Sequence, residues 1–187
     1  MRLHLAGAEV EDRARELAPA WEKHNEDFVS LFYDGHNCFN TLLAGDRAAR
    51  DQLLDNMRDY INDNRTVNNE HWVNIRFMFS IQGWNKDVVT KLGVQLVQGI
   101  TSYFDGDYNK SVDLLSGIMA ELQTVIQGST AQKDVFRQIL LDACIRSGSA
   151  TNLALARDII DKRMVEMNLK SHTPANQRML EKILLMS

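Results

Sequence analysis

No proline interrupts the chain between Pro19 and Pro174. So long a span is foreign to architectures of short strands and tight turns, but it suits helices joined by glycine and Asn/Asp connections, because an internal proline would cost a helix a hydrogen bond. The reading is therefore all-helical. At 187 residues the chain fits one domain and can bury a core without disulfides or a structural metal. With 44% hydrophobic and 25% charged residues it is neither disordered nor fibrous.

Apolar residues recur at helical spacing in nearly every segment. A first helix is expected from about Glu11 to His24, with Pro19 bending or interrupting it. Phe28, Leu31, Phe32, Gly35, Cys38, Phe39, Leu42 and Leu43 form the next seam, which Gly45 ends. Asp46 can then cap a second arm that turns Ala49, Leu53, Met57, Tyr60 and Ile61 inward and pairs Arg47 with Asp51 on its outer face. Further on, Val89 to Tyr103 and Tyr108 to Ile126 give two antiparallel seams about Asp105-Gly106-Asp107. Gly128-Ser129-Thr130 opens another helix, Gly148 closes it, and a following seam runs from Leu153 to Met167. Thr173 and Pro174 sit at the cap and first position of the last helix.

One stretch breaks the pattern. Val73, Ile75, Phe77, Phe79 and Ile81 alternate with mostly polar residues, a period of two, although Trp72, Ile75 and Phe79 also fit a helical turn. An extended or irregular segment is the favoured reading. Trp72, Phe77, Phe79 and Trp84 make it a candidate aromatic interface for self-association, with core packing as the plainer alternative.

Lys and Arg number 21 against 25 Asp and Glu, a net charge of −4. With no long basic run, neither nucleic acid nor a membrane surface is an expected partner. No apolar run reaches the length of a membrane span or signal core, so a cytoplasmic location is expected. Cys38 and Cys144 read as buried thiols.

Asp34, His36 and Cys38 are the residues that most invite a catalytic or metal-site reading. Geometry opposes it, because positions two apart on a helix lie about 200° apart around the axis and cannot meet. Hydrogen bonds to neighbouring helices are the better use for Asp34 and His36. Gln132, Asp134 and Arg137 form a second group, in which Asp134 in a first helical turn complements the helix dipole. No phosphate-cradling loop, nucleophile elbow or two-histidine zinc helix occurs, and no cofactor or metal is expected.

Gly99, Tyr103, Gly106-Asp107-Tyr108, Val112 and Leu115 resemble a tetratricopeptide repeat, a helix pair in which a small residue admits close approach and a glycine turn precedes a buried tyrosine. Gln98 and Ser111 depart from its pattern, and Gly148 follows Gly106 by 42 residues where the repeat period is about 34. Over nearly its whole length the chain resembles the C-terminal part of the tetratricopeptide repeat protein 38 family. That likeness rests on Phe32-x-Asp34-x-His36, the 103–115 hairpin, and Gly128-x-x-Ala131-Gln132-Lys133-Asp134-Val135-Phe136. At Lys133 the family more often carries arginine.

The resemblance implies an α-solenoid-like stack of about seven or eight helices with a protein-interaction role and no catalytic residues to carry over. It divides one domain, 1–187, into N-terminal helices (11–64), an aromatic-rich connection (65–85) and repeat-like pairs with a terminal helix (86–187). The groove it implies would take a protein or peptide partner, with Asp34, His36, Gln132, Asp134 and Arg137 as candidate lining. Self-association into a homodimer through 72–84 is the alternative, and an enzyme centred on Asp34 and His36 is a distant third. It also implies that the chain is the end of a longer solenoid, with an unusually apolar face at residues 1–20.

Overall fold

Caps and left-handed glycines set the helix boundaries much where the sequence puts them. A computed structural model describes residues 1–23, 30–62, 87–126, 128–166 and 173–186, and every regular element among them is helical. They are α1 (Arg2–Leu5), α2 (Glu11–Glu22), α3 (Leu31–Ala44), α4 (Arg47–Asn62), α5 (Val94–Phe104), α6 (Tyr108–Val125), α7 (Thr130–Ser147), α8 (Ala150–Glu166) and α9 (Pro174–Met186), with a π-helical turn, Val89–Gly93, leading into α5. The four-residue α1 takes the described helices to nine, above the expected seven or eight.

Gly45, Gly106 and Gly148 all have positive φ, the conformation in which a Cβ is costly. Asp46 accepts from the Ala49 amide at 2.8 Å, Asp107 from Lys110 at 3.2 Å and Thr173 Oγ1 from Asn176 at 3.2 Å. Pro19 does not interrupt α2, which runs on to Glu22. The expected Arg47–Asp51 pair is also replaced: Arg47 reaches Asp105 beside the α5–α6 turn, while Asp51 pairs with Arg50 at 2.8 Å. Bridging α4 to α5 gives Arg47 a partner outside its own helix.

Consecutive helices pack as neighbours: α2 on α3, α3 on α4, α5 on α6, α6 on α7, α7 on α8 and α8 on α9. Across that order α3 lies against α5, and α5 against α7. These contacts explain the burial pattern. Facing partners on several sides, α3 is buried from Leu31 to Leu43 with few breaks and α7 from Asp134 to Ile145, whereas α6 buries one stripe, Ser111, Val112, Leu115, Ile118, Met119 and Leu122.

The α5–α6 hairpin closes as tightly as its glycine permits. A Cβ on Gly99 would lie 2.6 Å from Leu115 Cδ2, and the buried Ser111 hydroxyl donates to the Gly99 carbonyl at 2.9 Å. Ser111 departs from the repeat pattern in a way that adds a hydrogen bond across the hairpin. Cys38 and Cys144 are both buried free thiols, and burial pushes the Cys38 thiol up to about 12.

Residues 1–20 are not unusually apolar on their outer surface. The large hydrophobics exposed there are Leu3 and Leu17, and α2 presents Arg13 paired with Glu16 and Arg15 paired with Asp12. That surface is already solvated by charge, because the apolar side of α2 is spent on α3.

Candidate functional site

His36 projects from α3 into a group of aromatic rings. Its ring centroid lies 4.2 Å from that of Phe32 and 5.7 Å from those of Phe39 and Phe136, the last of these on α7. Its Nδ1 is 2.6 Å from the Phe32 carbonyl, one turn back on the same helix, and donates there in the neutral Nδ1–H tautomer. Burial holds the imidazole below its ordinary pKa, against the opposing pull of that carbonyl. Gly35 makes room for the contact, since a Cβ there would lie 2.6 Å from Phe136 Cε1. His36 thus docks α3 on α7. Asp34 is buried on α3, 3% exposed.

The second candidate group separates along α7. Gln132 is exposed and completes a capping box: its amide donates to Ser129 Oγ at 3.3 Å, and the Ser129 amide donates to Gln132 Oε1 at 2.9 Å. Asp134 does not serve the helix dipole. It lies one turn too deep, because α7 begins at Thr130, and it accepts from Arg163 of α8 at both oxygens, Nε to Oδ1 and Nη2 to Oδ2, each at 2.7 Å. Gln138 adds a bond to Oδ2 at 2.6 Å, and Arg163 Nη1 reaches Asn176 Oδ1 on α9 at 2.7 Å. Burial alone would raise the Asp134 pKa, but the Arg163 guanidinium outweighs it and holds the carboxyl below its ordinary value. Arg137, half-buried, pairs with Glu166 at the end of α8. Asp134 and Arg137 therefore act as struts between helices.

A polar cluster not singled out by sequence lies where α5, α6 and α7 meet. The Tyr103 hydroxyl donates to Asp142 Oδ2 at 2.5 Å, and Arg146 Nε donates to the same oxygen at 2.6 Å. Arg146 Nη1 reaches the Tyr108 hydroxyl at 3.3 Å, with its guanidinium carbon 5.9 Å and 5.6 Å from the Tyr103 and Tyr108 ring centroids. Burial, reinforced by the Asp142 charge, raises the Tyr103 pKa, and Asp142 raises that of Arg146 over the opposing effect of burial. Asp142 and Arg146 stand four apart, a spacing legible in sequence. What marks them out is their alignment with Tyr103, which only the fold supplies.

Beside this cluster lies α1. It packs on α7, and the His4 ring stacks on Phe104 of α5 with centroids 5.6 Å apart. Met1 and Leu5 are partly buried against the core.

Trp72, Phe77, Phe79 and Trp84, and the expected extended conformation of 73–81, lie outside the described residues. Among the described residues no group of three or more His, Cys, Asp or Glu side chains can hold a metal ion, and no helix is long and apolar enough to cross a membrane. No protein-family model matches the chain, and no solved structure matches it.

Proposed function

We propose that this chain is a cytoplasmic, non-enzymatic protein-interaction module, a tetratricopeptide-like stack whose helices α3, α5 and α7 present a groove to a protein or peptide partner. The observation that carries the reading is the side-by-side order of α3, α5 and α7, with α4, α6 and α8 each packed against its preceding inner helix. That is how helical-repeat arrays build an extended binding face. The use made of polar groups supports it further. His36, Asp134, Arg137, Asp142 and Tyr103 are bonded to or packed on neighbouring helices, an arrangement that fixes the relative placement of helices and leaves acid–base groups little freedom to turn toward a substrate.

The test is capture of binding proteins on the immobilised chain, read by quantitative mass spectrometry beside an Arg146→Ala/Tyr33→Ala variant of matched thermal stability. Tyr33 and Arg146 are exposed on α3 and α7. A reproducible partner depleted at least fivefold by the variant supports the module. Capture that is identical for both proteins, or absent throughout, refutes it.

A further inference from the structure

The α7 side of that face already carries a peptide. Residues 1–5 form a single turn of helix, closed by the Leu5 amide on the Met1 carbonyl at 2.9 Å and ended by Gly7 in left-handed geometry, with the Ala8 amide returning to Leu3 at 2.9 Å. Met1 and Leu5, four apart and so on one side of the turn, are partly buried against the core. His4 stacks on Phe104 and lies 3.7 Å from Glu11 Oε1. The short segment therefore lies against α7 and against Phe104 of α5.

It is held lightly. No residue of α1 is fully buried and Leu3 is 66% exposed. A single turn this short has no helical stability of its own and stays folded only while docked. Elements with few buried contacts are the ones that open first.

We propose that the surface formed by α7 and the Phe104 end of α5 is a docking site for a short helical peptide of the chemistry displayed by residues 1–5, and that this segment is its intramolecular occupant, which a partner displaces. The partner segment carries two aliphatic side chains four apart and an imidazole or aromatic ring just before the second to stack on Phe104. The proposal rests on the interaction-module reading and specifies what the module binds.

A labelled peptide spanning residues 1–10 is titrated against the intact chain, against the chain lacking residues 1–8, and against that truncated chain carrying Phe104→Ala, with fluorescence anisotropy as the readout. The truncated chain should bind at least tenfold more tightly than the intact one, and Phe104→Ala should remove most of that gain. A peptide with His4→Ala should bind the truncated chain at least threefold more weakly. Should the truncation melt early, Leu5→Asp in the full chain releases the segment without removing it and is expected to raise peptide binding likewise. Equal binding to intact and opened chains, or none to an opened chain with native circular dichroism, overturns the proposal. So does a dimer of the intact chain that disappears on truncation, which would make a second copy the occupant. Failure of the peptide while Arg146→Ala/Tyr33→Ala still loses its captured partner defeats this docking site and leaves the module standing.

Discussion

Gly35 and Gly117 are both helical glycines, yet alanine should act on them in opposite senses. At Gly35 a methyl would press on the Phe136 ring, while at Gly117, on exposed α6 surface, nothing lies within 4 Å. Gly35→Ala is expected to cost about 1–3 kcal/mol through overpacking. Gly117→Ala should gain up to about 1 kcal/mol by helix propensity. Urea unfolding of both variants checks the pair, and a stable Gly35→Ala would mean that Phe136 can withdraw from α3. The same scale holds the Asp134–Arg163 pair, buried at 2% and 8% exposure. Removing one partner strands the other charge, so Asp134→Ala should destabilise by about 3–5 kcal/mol. Replacing both, Asp134→Leu with Arg163→Met, should recover much of that loss, because the uncompensated charge is then gone. A double variant as unstable as the single would show that the pair's geometry, beyond its neutrality, is what α7 and α8 need.

At the scale of elements, helix ends were legible and helix depth was not. Gly45, Gly106, Gly148, Ser129 and Thr173 act locally, through φ or a bond three residues away, so the sequence carries them in full. The burial of α7 on nearly all sides is hidden because its apolar residues do not form one stripe, and Asp134 reads as a complement to the helix dipole until Arg163 arrives from α8. His36 is expected to hydrogen-bond a neighbouring helix, but its bond goes to Phe32 of its own helix, and it reaches α7 only through the Phe136 ring. That setting gives the α3–α7 contact a pH dependence. The folded pKa of His36 lies below its ordinary 6.5, so the fold favours the neutral ring. The stability this contributes is complete above that ordinary value and is lost as pH falls from there through the lower folded pKa. His4 is shifted in the same direction, so the His36 share is isolated by comparison with His36→Phe. Between about pH 7 and about pH 5 the wild-type chain should lose more stability than this variant. Parallel losses in urea titrations at the two pH values would remove His36 from the account.

For the whole molecule, the mainly sequential helix contacts predict local stability, since helices that touch mostly their chain neighbours can open from the ends. Interior helices α3, α5 and α7 each meet several others, while α9 meets α8 and α7 and leaves Leu184, Leu185 and Met186 exposed at its far end. Among the described residues Asn176 ties α9 to the rest, bonded to the Arg163 guanidinium that also grips Asp134. Native-state hydrogen exchange should therefore show slow amides in α3, α5 and α7 and protection at least tenfold lower in α9 and α1. Asn176→Ala should accelerate exchange in α9 while leaving α3 and α5 near wild-type rates. Were the whole chain to exchange as one unit, with Asn176→Ala speeding every helix alike, the molecule would be a cooperative bundle. The α7 surface beneath α1 could then not be uncovered by local release of that segment, since any opening at one end would unfold the rest.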